Sequence, residues 1–178
     1  GPARESKALV GDAVMTVLEA IRQLLETEQV EFRELHHEPT YTSADAARVR
    51  GEELRNGGKA LLMKVNDDFA LFVLPAERRV HSALIRKQLG TRRMRFATPE
   101  ELRQLTSEEG HPGLVPGSVP PFGKPILPFP LYVDSGIQEN ERIAFNAGSL
   151  TDSVIMSVHD YLEVARPEEI FVFSRLNE

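Results

Sequence analysis

The sequence predicts an α/β (α+β-like) fold: a mixed central β-sheet surrounded by helices, with an extra N-terminal helix. Three observations point there. Strand-like segments outnumber helical ones, and the helices interrupt them irregularly instead of in a βαβ alternation. Residues 56–74, NGGKALLMKVNDDFALFVL, read as a glycine turn, a strand, a polar turn and a second strand. The second of these strands (69–74) is almost continuously apolar, the pattern of a strand buried on both faces. Lys59 follows Gly57-Gly58 at the mouth of the hairpin, a sheet end where a cation can meet a substrate.

In chain order, Gly1-Pro2 has the form of a scar left by tag removal and is set aside. Residues 3–29 place Leu9, Ala13, Val14, Val17, Leu18, Ile21, Leu24 and Leu25 at i, i+3, i+4 spacing, a long amphipathic helix. This gives two expected units: 1–29, the scar plus helix, and 30–178, the sheet-bearing domain. Residues 30–36 alternate as a first strand, and His36-His37-Glu38-Pro39 breaks it. The paired histidines lack HExxH spacing, so they read as loop residues and no metal centre is expected. Thr42 or Ser43 caps a short alanine-rich helix, 44–49. Arg48, Arg50 and Arg55 then add positive charge ahead of Lys59.

Beyond the hairpin, Pro75 stops the strand and residues 76–89 read as a helix ending at Gly90. Residues 94–97 form a short strand. Thr98-Pro99-Glu100-Glu101 opens a helix, with Thr98 as N-cap, Pro99 at the first helical position and Glu101 closing a capping box. Residues 109–130 are rich in glycine and proline. Val115, Val119, Phe122, Ile126 and Leu127 give this stretch apolar anchors, so it reads as an ordered substrate loop. Strands follow at 131–134, 142–146 and 153–157. Ser157 caps a last helix through Val164, and residues 170–174 read as a closing strand or an apolar tail tucked against the sheet.

The chain has 178 residues, a formal net charge of −6 and no cysteine, which excludes disulfides and thiolate catalysis. No apolar run approaches the ~20 residues of a membrane helix, and no signal peptide is visible; cytoplasm is the expected compartment, without a membrane partner. Between Arg78 and Arg95 lie seven basic residues and no acid. Against an acidic chain this cluster (Arg78, Arg79, Arg86, Lys87, Arg92, Arg93 and Arg95) suits phosphate contacts.

Familiar catalytic signatures are missing: no GxSxG elbow, no P-loop, no GxGxxG. What remains is Lys59, the Gly117-Ser118-Val119-Pro120-Pro121 loop and Phe145-Asn146-Ala147-Gly148. Glycine-rich backbone can present N–H groups to an oxyanion, and a lysine can hold a phosphate or a developing negative charge. Such a site assists ester hydrolysis without a protein nucleophile.

Five ordered segments carry a resemblance: GGKALLMK (57–64), RFATPEEL (95–102), EEGHPGLVPGSVPPFG (108–123), LYVDSGI (131–137) and RIAFNAG (142–148). Together they resemble the YbaK/ProX family, which includes the editing domain inserted in bacterial prolyl-tRNA synthetases. The resemblance implies a YbaK/ProX-like fold and hydrolysis of mischarged aminoacyl-tRNA in trans, with no cofactor. By position, Lys59 matches the family lysine needed for deacylation, and Lys64 the less critical second lysine. Gly117, Ser118, Val119, Pro120 and Pro121 match the GxxxP substrate loop. Asn146, Ala147 and Gly148 fall in the segment that shapes the aminoacyl pocket.

The partners implied are the acceptor end of a mischarged tRNA, with an aminoacyl-tRNA synthetase or elongation factor beside it. Arg78, Arg79, Arg86, Lys87, Arg92 and Arg93 are the expected tRNA contacts. Ala60 stands where many relatives carry threonine or asparagine, and Asn146-Ala147-Gly148 differs from the histidine-bearing segment of alanine-specific editors. The amino acid edited therefore stays open within the small class of alanine, serine, threonine and cysteine. Two alternatives remain: a non-catalytic module of the same fold that binds tRNA, a nucleotide or a protein, and a general small-ester hydrolase.

Overall fold

The computed structural model describes residues 15–177. The hairpin forms as expected: β2 (Gly58–Val65) and β3 (Asp68–Pro75) pair antiparallel from Gly58↔Pro75 to Val65↔Asp68. Asn66 turns the chain with φ 55°, a left-handed conformation that asparagine tolerates. Alternate residues separate into two cores. Ala60, Leu62, Leu71 and Val73 face the larger one; Met63, Ala70, Phe72 and Leu74 face the smaller. Burial on both faces follows directly from the unbroken apolar run.

Around the hairpin, a five-stranded mixed sheet has the order β5-β2-β3-β6-β9. Its other members are β5 (Met94–Phe96), β6 (Leu131–Asp134) and β9 (Glu169–Phe171), with β6 parallel to both β3 and β9. A second sheet, all antiparallel, has the order β1-β8-β7, from β1 (Phe32–His36), β7 (Arg142–Asn146) and β8 (Asp152–Ser157). The two sheets meet where Gly57 bridges Ala144 in parallel. A β-carbon on Gly58 would lie 2.5 Å from Ile143 Cδ1, so glycine lets β2 start directly over β7.

Three element assignments are corrected. The helix assigned to residues 76–89 begins only at Ser82: α3 is Ser82–Leu89, and Arg78–Val80 is a strand, β4. Its partner is the chain's end, β10 (Ser174–Leu176), in register Ser174↔Val80. The closing strand is thereby divided. Residues 169–171 join the mixed sheet, while 174–176 join β4. Phe173 lies fully buried between them, with its N–H donating to Asp134 Oδ1 at 2.8 Å.

The third correction concerns the N-terminal helix. The scar and the helical expectation for residues 3–14 lie outside the described residues. Within them, α1 is Val17–Thr27 and does not run through Thr16, which is extended and closes a capping box with Glu19. The helix inserts Ile21 and Leu25, both fully buried, into the larger core beside Phe122, Phe145 and Tyr161. Ile21→Ala should therefore lower unfolding stability by about 2–5 kcal/mol in a urea titration.

The remaining helices follow their caps. α2 (Ser43–Arg50) starts on the Thr42 side chain and ends at Gly51, φ 68°. α4 (Pro99–Thr106) has the Thr98–Glu101 capping box read from sequence, and α5 (Val158–Ala165) starts on Ser157. In the proline-rich stretch, Val119, Phe122 and Leu127 are buried and Ile126 packs against the core, as expected. Val115 is not an anchor. It is 46% exposed, because its peptide groups serve the turn that follows.

Candidate active site

A cavity of about 240 Å³ opens where the two sheets and α2 converge. Lys59 enters it from the second residue of β2, Pro116, Gly117 and Val119 from the proline-rich loop, and Asn146 from the end of β7. The first turn of α2 supplies Thr42 and Ser43, and its last residue, Arg50, also lines the wall. Among the described residues lining it there is no carboxylate. Two cations and the positive end of a short helix thus share one small space.

Lys59 is half-buried, and its Nζ donates to the Ala76 carbonyl at 3.4 Å. Burial lowers its pKa from the ordinary lysine value, since desolvation disfavours the ammonium. Among the described residues no carboxylate pairs with it, so no partner within the protein competes with a ligand for it.

The loop opposite is a tight turn built by Ser118. Its Oγ donates to the Val115 carbonyl at 2.7 Å and accepts the Val115 N–H at 3.1 Å, while its own N–H donates to Val115 O at 3.0 Å. Gly117 adopts φ 89°, which a side chain would strain. Pro120 and Pro121 have no N–H. The Gly117 and Val119 amides are therefore the donors this turn leaves unused.

The loop is tied down at three points, by the end of β7, by the turn that follows it and by α5. Asn146 Nδ2 donates to Gly117 O at 2.7 Å, and Gly148 N–H donates to Ser118 O at 2.9 Å. Tyr161, wholly buried, donates its hydroxyl to Pro121 O at 2.6 Å, and burial pushes the phenol above its ordinary range. Gly117, Val119 and Asn146 thus reach the cavity with Lys59. Ser118, Pro120, Pro121 and Ala147 are buried in the framework behind it, where Gly148 serves as a tie.

Arg50 was legible only as added positive charge. The folded chain buries it to 8% exposure. Its Nε donates to Ser153 Oγ at 2.9 Å, Nη1 to Ala144 O at 3.3 Å and Nη2 to Asn146 Oδ1 at 2.9 Å. One guanidinium therefore fixes the asparagine that holds Gly117. Desolvation lowers its pKa to about 10, partly offset by Glu52, so it stays charged at neutral pH. His37 extends the network through Nε2 to Ser153 Oγ at 2.8 Å, with Nδ1 on the Glu38 carbonyl. His36 pairs instead with Asp152 and Glu34. Among the described residues no group of three histidine and carboxylate side chains is placed to hold a metal.

The basic cluster does not form one patch of equivalent groups. Arg78 is held by the Ser174 hydroxyl and carbonyl, and Arg95 by Glu101 at 2.8 Å. Arg86 reaches Ser82 Oγ, and Arg93 lies 3.4 Å from Asp67. Arg79, Lys87 and Arg92 are exposed, without an ion pair among the described residues.

A family model described as an aminoacyl-tRNA editing domain matches residues 37–164. The chain is 35% identical over 151 residues to the multifunctional Ser/Thr-tRNA deacylase ProXp-y of Escherichia coli strain K12, covering 82% of this chain and 86% of that protein. It is 31% identical over 106 residues to the proline–tRNA ligase of Shouchella clausii, spanning 60% of this chain but only 17% of the ligase. Among solved structures, a putative trans-editing enzyme for prolyl tRNA synthetase superposes with a TM-score of 0.72 at 23% identity, covering 90% of this chain and 98% of that one. A hypothetical protein superposes with a TM-score of 0.76 at 22% identity, covering 88% of this chain and all of its own. Both share the fold.

Proposed function

Because this chain belongs to the aminoacyl-tRNA editing domain family, we propose that it hydrolyses the ester of mischarged tRNAs carrying a small amino acid. The observation that carries this reading is the cavity shared by Lys59 and the Gly117 turn, with cations and backbone donors, and with Thr40, Thr42 and Ser43 hydroxyls but no histidine or carboxylate among the described lining residues to activate one. Serine and threonine lead within the small class, since the curated relative is named for those two.

In this mechanism the Lys59 ammonium meets negative charge, either at the terminal nucleotide's phosphate or on the ester oxygen as it becomes an oxyanion. The Gly117 and Val119 amides orient the acyl group. Water attacks the ester carbonyl carbon, the bond to the ribose oxygen breaks, and that oxygen takes up a proton. Arg50 and Asn146 hold the turn in register without touching the reacting atoms. Ser118, Pro120, Pro121, Ala147 and Gly148 act by shaping it. A small pocket admits small side chains and rejects large ones by volume, the usual basis of editing.

The acceptor stem then runs toward α3 and β4. Arg79, Lys87 and Arg92, exposed and without an ion pair among the described residues, contact phosphates; Arg78, Arg86 and Arg93 flank them. Charge reversal of Arg79, Lys87 and Arg92 should weaken tRNA binding at all sequences. It should also reduce the salt slope by about 3, measured as log Kd against log salt. Residues 30–178 form the editing unit and α1 buttresses it. The protein works in the cytoplasm, with an aminoacyl-tRNA synthetase or elongation factor handling the same tRNA.

The test is a panel of tRNAs charged with serine, threonine, alanine or cysteine, incubated with purified protein while free amino acid is measured. Release of at least one supports the reading. Saturable binding with no release on any of them would make the chain a binding module.

A further inference from the structure

A second cavity of about 180 Å³ adjoins the first, sharing Ala60, Leu61, Pro116, Gly117 and Val119 with it. It runs away from Lys59 across β2 to the start of α4. Leu62 and Leu102 form its floor, Pro116 one wall, and Phe96 with Pro99 the other. Phe96 is the last residue of β5, the edge strand of the mixed sheet, and its side chain is 56% exposed. The backbone beneath is fixed to β2. Phe96 pairs with Met63, and the next amide, Ala97 N–H, donates to Leu62 O at 2.9 Å.

The charges around this groove cancel in pairs. Arg95 forms a two-point ion pair with Glu101 at 2.8 and 3.0 Å, and Arg103 lies 3.8 Å from Glu100. The space therefore suits a flat, neutral, polarisable group better than a phosphate. Lys59 answers for anions one step away.

We propose that this groove is a nucleobase subsite, in which a base of the tRNA's 3′ end stacks on Phe96 while its ester lies at Lys59. The proposal rests on the tRNA-ester reading of the first cavity. It adds a residue with no part in the chemistry, which draws affinity from the nucleotide and not from the amino acid. A π-face accepts any base, so the subsite supports binding without selecting sequence. The base is that of the ester-bearing nucleoside or the one before it; both present the same stacking surface.

The chain contains no tryptophan, so Phe96→Trp creates a single fluorophore in the groove. Titrating this variant with the trinucleotide cytidylyl-cytidylyl-adenosine should quench its emission saturably, and an abasic ribose-phosphate trimer should not. Quenching by adenosine monophosphate alone assigns the terminal base; quenching that needs the dinucleotide assigns the preceding one. In a parallel assay, kcat/KM is compared for seryl esters of ribose, adenosine and cytidylyl-adenosine. The wild type should gain about tenfold where the stacking base is added, and Phe96→Ala should lose most of that gain.

No base-dependent quenching, or an undiminished gain in Phe96→Ala, would overturn the subsite. So would a Phe96→Ala enzyme whose preference among serine, threonine and alanine shifts, since the groove would then hold the amino-acid side chain. Failure of the deacylase reading is separable: wild type would release no amino acid from any charged tRNA, whatever the fluorescence shows.

Discussion

Lys59→Ala is expected to lower kcat/KM on a mischarged tRNA by at least about 100-fold, the scale seen when one transition-state donor is removed from a closed site. The loss should not come from unfolding. Lys59 makes one long hydrogen bond to a backbone carbonyl, and desolvation already disfavours its charge. Lys59→Met, which retains most of the side-chain volume, should fold with at least wild-type stability and be equally inactive.

The lowered pKa of Lys59 gives this prediction a pH signature. The ammonium titrates below the ordinary lysine value of 10.5. Activity that depends on Lys59 should therefore fall as pH rises through that lowered value, even as spontaneous hydrolysis by hydroxide increases. Stability runs the other way. Between the lowered folded value and 10.5 the unfolded chain binds more protons at this site, so the Lys59 contribution to stability rises with pH there. In Lys59→Met both limbs should disappear.

Arg50→Met should reduce kcat by roughly 10- to 100-fold with a smaller change in KM, because it loosens the Gly117 turn without removing a substrate contact. Three acceptors each lose one donor: Ser153 Oγ, Ala144 O and Asn146 Oδ1, the last keeping the Ser153 hydroxyl at 3.3 Å. Unfolding stability should fall by about 1–3 kcal/mol, offset in part by removal of a buried charge. Arg50→Lys should not restore kcat, since an ammonium cannot span three acceptors held in a planar fork. Equal loss in Asn146→Ala, with no further loss in the double variant, would place both residues on one path to Gly117.

Much of the framework could be read from local pattern. The apolar run of β3 required burial on two sides, and Thr98-Pro99-Glu100-Glu101 states a helix start in four residues. The cap at Thr16 was equally legible, with Glu19 three residues on, but the longer apolar periodicity ran over it. β4 was not legible in the same way. Arg78–Val80 is a strand because Ser174–Leu176, nearly a hundred positions later, lies beside it, and the leucine spacing of α3 extended the helical pattern backwards.

The site divides along the same line. Lys59 and Gly117 stand in segments whose turn chemistry marks them. Ser118 was expected to face the ligand, but its hydroxyl is consumed in closing the turn, a local hydrogen bond that its residue type does not announce. Arg50 depends on acceptors 94 to 103 residues away, so no window of sequence around it could show its role. Phe96 is legible as part of a short strand and of the segment RFATPEEL (95–102), but its exposure follows from an edge position that topology alone assigns.

The central claim is that water cleaves the ester directly in the Lys59–Gly117 cavity, with no acyl-protein intermediate. The direct measurement is a single-turnover reaction of excess protein with seryl- or threonyl-tRNA, acid-quenched at intervals and followed by intact-mass spectrometry. The account predicts free amino acid appearing at the rate the ester disappears, with the protein at its unmodified mass throughout. A transient protein species heavier by the seryl or threonyl acyl group, formed and lost on the timescale of turnover, would contradict it.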